Sequence, residues 1–213
     1  MARSHLVWDW NGTLLDDLTL VVSSTNSAFA AVGGRSVDSD EHRRTFRRPV
    51  AEFYAEILGR AVDAEEFERL DRIFHDAYRL GLTTTSLAVD AMAAIKSWPG
   101  SQSLLSMWFH SELVPAVETY GLNGVFTRVD GLRAEVGGHL KAGHLAAHLE
   151  GLAVSGSRAV LIGDSLDDAA AADSVGAEVV LYTGGFTHPD RLRASGRPVA
   201  DTLVQAVEIA RSL

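Results

Sequence analysis

Five short apolar runs, each stopping at polar or turn-forming residues, constrain this chain more than any other feature. They are "HLVW" (His5 to Trp8), "SLLS" (Ser103 to Ser106), "GVF" (Gly124 to Phe126), "RAVLI" (Arg158 to Ile162) and "EVVLY" (Glu178 to Tyr182). Each is too short for a helix and lacks the strict alternation of a half-exposed strand, so each reads as a buried strand. The stretches between them carry helical spacing: Leu113, Val117 and Tyr120; Leu145, His148 and Leu149; Ala169, Ala172 and Val175. Strand alternating with helix predicts an α/β protein whose parallel sheet is covered on both faces.

One region breaks the rhythm. From about Asp16 to Thr85 no convincing strand occurs, and Phe67, Leu70, Phe74, Ala77, Tyr78 and Leu80 form an apolar helical stripe. We read residues 16–85 as an all-helical insertion in a core made of residues 1–15 and 86–213, with "GLTTTS" (Gly81 to Ser86) closing it. At 213 residues and 46% hydrophobic content the chain is long enough for one substantial core and such an appendage. With 19 basic against 28 acidic residues, net −9, it is poorly suited to nucleic acid or an anionic membrane. Cysteine is absent, so no disulfide framework or thiolate metal site exists. No signal peptide or run of about 18 apolar residues is found, so the expected location is the cytoplasm.

Open parallel sheets bind ligands beyond the carboxyl ends of their strands. Those places hold Asp9 after "LVW", Ser106 after "SLL", Lys141 in "GGHLKAGH", and Asp164, Asp167 and Asp168 after "VLIG". Carboxylates, a hydroxyl and an ammonium suit a metal-bound phosphate. A carboxylate that attacks phosphorus divides one hard displacement into two easier ones. Because the phosphate dianion repels it, positive charge must be supplied, by magnesium on oxygen ligands and by lysine. Asp9 is then nucleophile and ligand, Asp164 a ligand, and Asp168 a ligand or its support. Taken singly, each has a plainer reading: Asn11-Gly12 is a turn signal, Asp164 could cap the helix starting near Ser165, and Lys141 could be a surface lysine.

Order and spacing favour the chemical reading. Asp9-Trp10-Asn11-Gly12-Thr13-Leu14 resembles the first motif of the haloacid dehalogenase superfamily, usually D-x-D-G-T-L. Ser106 resembles its second motif, Lys141 its third and "GDSLDD" (Gly163 to Asp168) its fourth. This resemblance implies a Rossmann-like three-layer core with an all-helical C1 cap. It also implies magnesium-dependent transfer of a phosphoryl group from a small phosphate ester, with a layout most like the phosphoglycolate phosphatase branch. Its implied metal site is Asp9, the main-chain carbonyl of Asn11, Asp164 and Asp168. Catalysis then falls to Asp9, position 11, Ser106 and Lys141, and substrate contacts to Gly12, Thr13 and Met107.

Asn11 departs from that pattern. The family's second aspartate protonates the leaving oxygen and later deprotonates water, and an amide does neither. Such assistance is worth about 10²–10⁴ in rate. Turnover should therefore favour leaving groups that need little protonation, such as acyl, aryl or pyrophosphate types. His110, four residues past Ser106, is one candidate substitute acid. Deamidation of Asn11 before Gly12 is another. In "EHRRTFRRP" (Glu41 to Pro49), Arg47 and Arg48 are expected to contact a second anion on the substrate, and Arg43 and Arg44 to be solvated. Trp10 and Trp108 are expected to pack. Two further readings compete with a phosphatase: a phosphate-binding sensor or partner module, and a carbon–halogen dehalogenase, which would not need the retained Asp164 and Asp168.

Overall fold

The computed structural model describes residues 4–134 and 136–213. Strand β1 (His5–Trp8) leads into a two-residue strand β2 (Leu15–Asp16), and four helices follow: α1 (Leu18–Ala30), α2 (Ser39–Thr45), α3 (Val50–Leu58) and α4 (Ala64–Gly81). Strand β3 (Ser86–Leu87) pairs antiparallel with β2, so these two short strands form the stem on which the helical unit stands. Then come α5 (Ala91–Ser97), β4 (Ser101–Phe109), α6 (His110–Thr119), β5 (Val129–Leu132), α7 (Ala142–Gly151), β6 (Ala159–Gly163), α8 (Leu166–Val175), β7 (Glu178–Tyr182), α9 (Pro189–Ala194), β8 (Val199–Ala200) and α10 (Leu203–Ser212).

Six strands make one parallel sheet in the order β5-β4-β1-β6-β7-β8. The unbroken apolar runs follow from burial on both faces. In β1, Leu6 and Trp8 join a core cluster with residues of α5, α6 and α10, while Val7 joins a second cluster with α7, α8 and α9. This is the expected layered α/β core. No helix among the described residues is long and apolar enough to cross a membrane.

Two sequence expectations need correction. "GVF" is not a strand: Gly124 turns at φ +72°, Phe126 packs into the core, and the strand lies further on at Val129–Leu132, where it pairs with β4. A three-residue apolar run cannot distinguish a buried turn from a strand. Leu80 leaves the apolar stripe of α4 and is 86% exposed: it faces outward in a last turn whose inward residue, Tyr78, is buried.

Candidate active site

Register brings the predicted residues together. Trp8 pairs with Leu104 on one side and Ile162 on the other, so Asp9, Ser106 and Asp164 emerge within a residue of the same level of the sheet. The ladder extends to Asp9, whose N–H donates to the Ile162 carbonyl at 2.9 Å. Ser165 caps α8, and its side chain and that of Asp168 bond each other's backbone N–H, a capping box that fixes Asp168 inward. Lys141 is the N-cap of α7 and is 2% exposed, its ammonium donating to Asp9 Oδ1 at 2.5 Å and to Asp168 Oδ1 at 2.6 Å.

Carboxylate oxygens of Asp9, Asp164 and Asp168 lie within 4.8 Å of one another. Three buried acids share one buried ammonium, and the imbalance appears in their titration. Burial pushes the Asp9 carboxyl up to about 6, opposed by Lys141 and reinforced by Asp168. Burial, with Asp9 and Asp168 alongside, raises Asp164 well above the usual carboxylate range. Burial acts against Asp168 too, but the charge and hydrogen bonds of Lys141 and Ser165 hold it below its ordinary value. Lys141 is kept charged: burial disfavours the ammonium, and Asp168 and Asp9 more than compensate.

Asn11 faces a buried polar cluster that the sequence did not suggest. Its side-chain N–H₂ donates to Asp17 Oδ2 at 2.8 Å and to the Tyr78 hydroxyl at 2.9 Å, and its carbonyl accepts from Ser106 Oγ at 3.1 Å. Tyr78 in turn donates to Asp17 Oδ2 at 2.7 Å, and the Gly12 amide donates to Asp17 Oδ1 at 2.8 Å. Asp17 is 1% exposed; burial raises its carboxyl to about 6 against the hydrogen bonds from Asn11, Tyr78 and Gly12. The Asp16-Asp17 doublet just past the motif is the available signal, and the apolar stripe that holds Tyr78 gives none for its hydroxyl.

The remaining predicted residues divide. Met107 and Arg48 line the cavity that Asp9, Ser106, Lys141, Asp164, Asp167 and Asp168 surround. Gly12 and Thr13 do not. The Gly12 amide is taken by Asp17, and its role is steric: at φ +71°, a Cβ would stand 2.7 Å from Asp164 Oδ2. Thr13 Oγ1 lies 3.4 Å from Asp9 Oδ2 and supports that carboxylate from behind. Arg47 is also outside, paired with Glu56 and, at 3.7 Å, with Glu52. His110 is turned away, its Nδ1 accepting from the Gly131 amide and its Nε2 2.9 Å from Arg133, so it does not supply the missing acid. Arg43 is not a solvated side chain, since its guanidinium donates to the Thr183 carbonyl and ties α2 to the loop after β7. Trp10 packs edge-on against Tyr120, whereas Trp108 walls a cavity.

That cavity, about 90 Å³, lies between the helical unit and the core and opens from the carboxylate site through Asn11, Phe46, Arg48, Met107 and Phe186. Phe186 does more than line it: its amide donates to Asp164 Oδ2 at 2.5 Å. Phe186 lies in the loop after "EVVLY", so the strand-end rule that points to Asp9 and Asp164 points to this loop as well.

Comparisons with known proteins agree with the layered α/β fold. Residues 136–206 match the HAD-hydrolase-like family. A phosphoglycolate phosphatase of Mesorhizobium japonicum is 25% identical over 194 residues, covering 88% of this chain and 86% of that protein. Among solved structures, a predicted phosphatase from Clostridium acetobutylicum superposes with TM-score 0.87 at 16% identity over all of both chains. A haloacid dehalogenase-like family hydrolase from Streptococcus pneumoniae gives 0.80 at 17% identity over 97% of each.

Proposed function

We propose, from the premise that this chain is a haloacid dehalogenase-like hydrolase of the phosphoglycolate phosphatase type, that it hydrolyses a small phosphorylated metabolite in the cytoplasm, with magnesium, through an aspartyl phosphate on Asp9. The observation that carries this reading is the trio Asp9, Asp164 and Asp168, gathered within 4.8 Å around one ammonium.

The donor set fits magnesium. Hard oxygen ligands gathered at one point, with burial raising two of the three carboxyls, form a site short of positive charge. Asp9, Asp164 and Asp168 would hold the ion, with the Asn11 carbonyl. When bound it supplies charge that offsets repulsion between the attacking carboxylate and the phosphate.

The chain's own residues account for the rest. Lys141 holds Asp9 ionised and in place, and supplies a cation to the transferring oxygens. A carboxylate oxygen of Asp9 bonds to phosphorus as the ester P–O bond breaks, and its electron pair leaves on the substrate oxygen. Water then attacks the acyl phosphate, releasing phosphate and restoring the Asp9 carboxylate. Ser106 accepts the Trp108 amide at 3.0 Å and donates to Asn11, so it aligns the strand end and position 11 at the cavity wall. Asn11 orients but transfers no proton, and leaving groups that depart as stable anions are favoured.

Acetyl phosphate tests this directly, since its leaving group needs no acid. Hydrolysis that stops with chelator, returns with magnesium and is abolished by Asp9→Asn is expected, with borohydride trapping at Asp9 in the native chain. Undiminished turnover by Asp9→Asn would overturn the assignment.

A further inference from the structure

The cavity beyond the phosphate site is an aromatic chamber. Phe46, Phe53, Phe74, Tyr54, Trp108 and Phe186 stand on its wall. His42 stacks on Phe46 with ring centroids 5.2 Å apart and meets Phe53 edge-on at 5.1 Å. Although His42 is 0% exposed, neither of its nitrogens has a partner among the described residues, and the same holds for His75 Nδ1 and Trp108 Nε1, all on this wall. Buried donors and acceptors without partners are costly, and four of them belong to residues on the wall of one cavity, where polar groups of a ligand would complete them.

Charge narrows the choice. Besides the two histidines and two tyrosines, the ionisable side chains on the wall are Arg48, at the mouth shared with the phosphate site, and Asp71. Arg48 is partly committed, donating to the His139 carbonyl at 3.1 Å and lying 3.9 Å from Asp167. Asp71 accepts from the Gly137 amide at 3.0 Å and has His75 Nε2 3.4 Å away. A leaving group with its own carboxylate would enter an aromatic enclosure that faces Asp71, with Arg47 turned outward onto Glu52 and Glu56. Burying that anion unpaired is unfavourable. A flat ring with hydrogen-bonding substituents meets both the aromatic faces and the unpartnered nitrogens.

We propose, resting on the phosphatase reading above, that the substrate is a phosphate monoester of an aromatic alcohol whose ring carries hydrogen-bonding substituents, held in this chamber with His42 and Trp108 as its polar contacts. The chemistry is consistent with Asn11. As Asp9 bonds to phosphorus, the P–O bond to the ring oxygen breaks and its electron pair leaves as a phenolate, whose conjugate acid ionises near ~10, so no proton need come from position 11. Water attacking the acyl phosphate supplies the oxygen; one of its protons stays on the released phosphate and the other passes to the phenolate.

The test is a kcat/KM series with magnesium on the native chain, using acetyl phosphate, phenyl phosphate, 4-hydroxyphenyl phosphate and 2-phosphoglycolate. We expect both aromatic esters to exceed 2-phosphoglycolate by at least tenfold. The 4-hydroxyphenyl ester should exceed the phenyl ester, although its leaving phenolate is no more stable, and His42→Phe should narrow that second ratio. Turnover of acetyl phosphate with 2-phosphoglycolate equal to or better than the aromatic esters would overturn the ring proposal and leave the phosphatase reading standing. Failure to hydrolyse any of the four, acetyl phosphate included, would overturn both.

Discussion

Asn11 and Asp17 are joined by a hydrogen bond of 2.8 Å from the amide nitrogen of one to the carboxylate of the other. The acid missing two residues after Asp9 is thus present a few residues later, but behind the motif loop and not at the substrate. Tyr78, from α4, donates to the same carboxylate oxygen, so the loop that holds Asp9 is tied to the helical unit that covers it.

This pairing predicts the behaviour of Asn11→Asp. A carboxyl at position 11 would meet Asp17 at hydrogen-bonding distance in a buried site, where two carboxylates cannot both ionise. We expect a loss of about 1–3 kcal/mol in stability and no gain in turnover. The double exchange Asn11→Asp with Asp17→Asn, which restores an amide–carboxylate pair, should recover most of that stability. Calorimetry on the four chains of the cycle measures the coupling.

Deamidation is expected to be negligible. The Gly12 nitrogen that would have to attack the Asn11 side chain donates to Asp17, and that side chain is held by Ser106, Asp17 and Tyr78. Peptide mass spectrometry of aged protein should find residue 11 still an amide.

Magnesium should stabilise the fold as well as support turnover. An ion that binds only the folded chain adds about 3 kcal/mol at a hundredfold excess over its Kd, roughly 5–10 °C in Tm for a chain of this size. Asp164→Asn should abolish the shift, measured by thermal melting with and without chelator.

Acid stability is a separate matter of buried histidines. Burial, aided by Arg43, lowers His42 to about 4, and burial with His148 nearby lowers His5 to about 4. An unfolded histidine titrates near ~6.5, so the folded chain resists protonation. Their contribution is fully present above the unfolded value and is lost as pH falls through the folded one. Between pH 7 and pH 5, His42→Phe should remove on the order of 2 kcal/mol of this loss, read from urea unfolding at the two pH values.

The two neighbouring arginines should differ. Arg47→Ala breaks exposed ion pairs, costs at most about 1 kcal/mol, and leaves KM for acetyl phosphate unchanged. Arg48→Ala, at the mouth of the site, should raise it severalfold in steady-state assays.

The α/β alternation and the helical insertion were legible because local rules govern them, whereas Asp9, Ser106, Lys141 and Asp164 each had a plainer reading alone and were singled out by an order along the chain that resembles the family's four motifs. Burial on both faces demands apolar runs, and a ligand site at the strand ends demands polar residues where those runs stop. Asp168 was legible as well, since its capping box lies within four residues. What the amino-acid order could not convey was direction. Arg47 and Arg48 are adjacent and chemically identical, yet Glu52 and Glu56 draw one outward while the other borders the site. Tyr78 and Asp17 lie 61 residues apart and meet only because α4 folds back over the motif loop. His42, Phe46 and Phe186 likewise form one chamber from segments remote in the chain. Periodicity records which residues are buried, but the partner each one meets depends on packing between distant elements, and only the tertiary structure determines it.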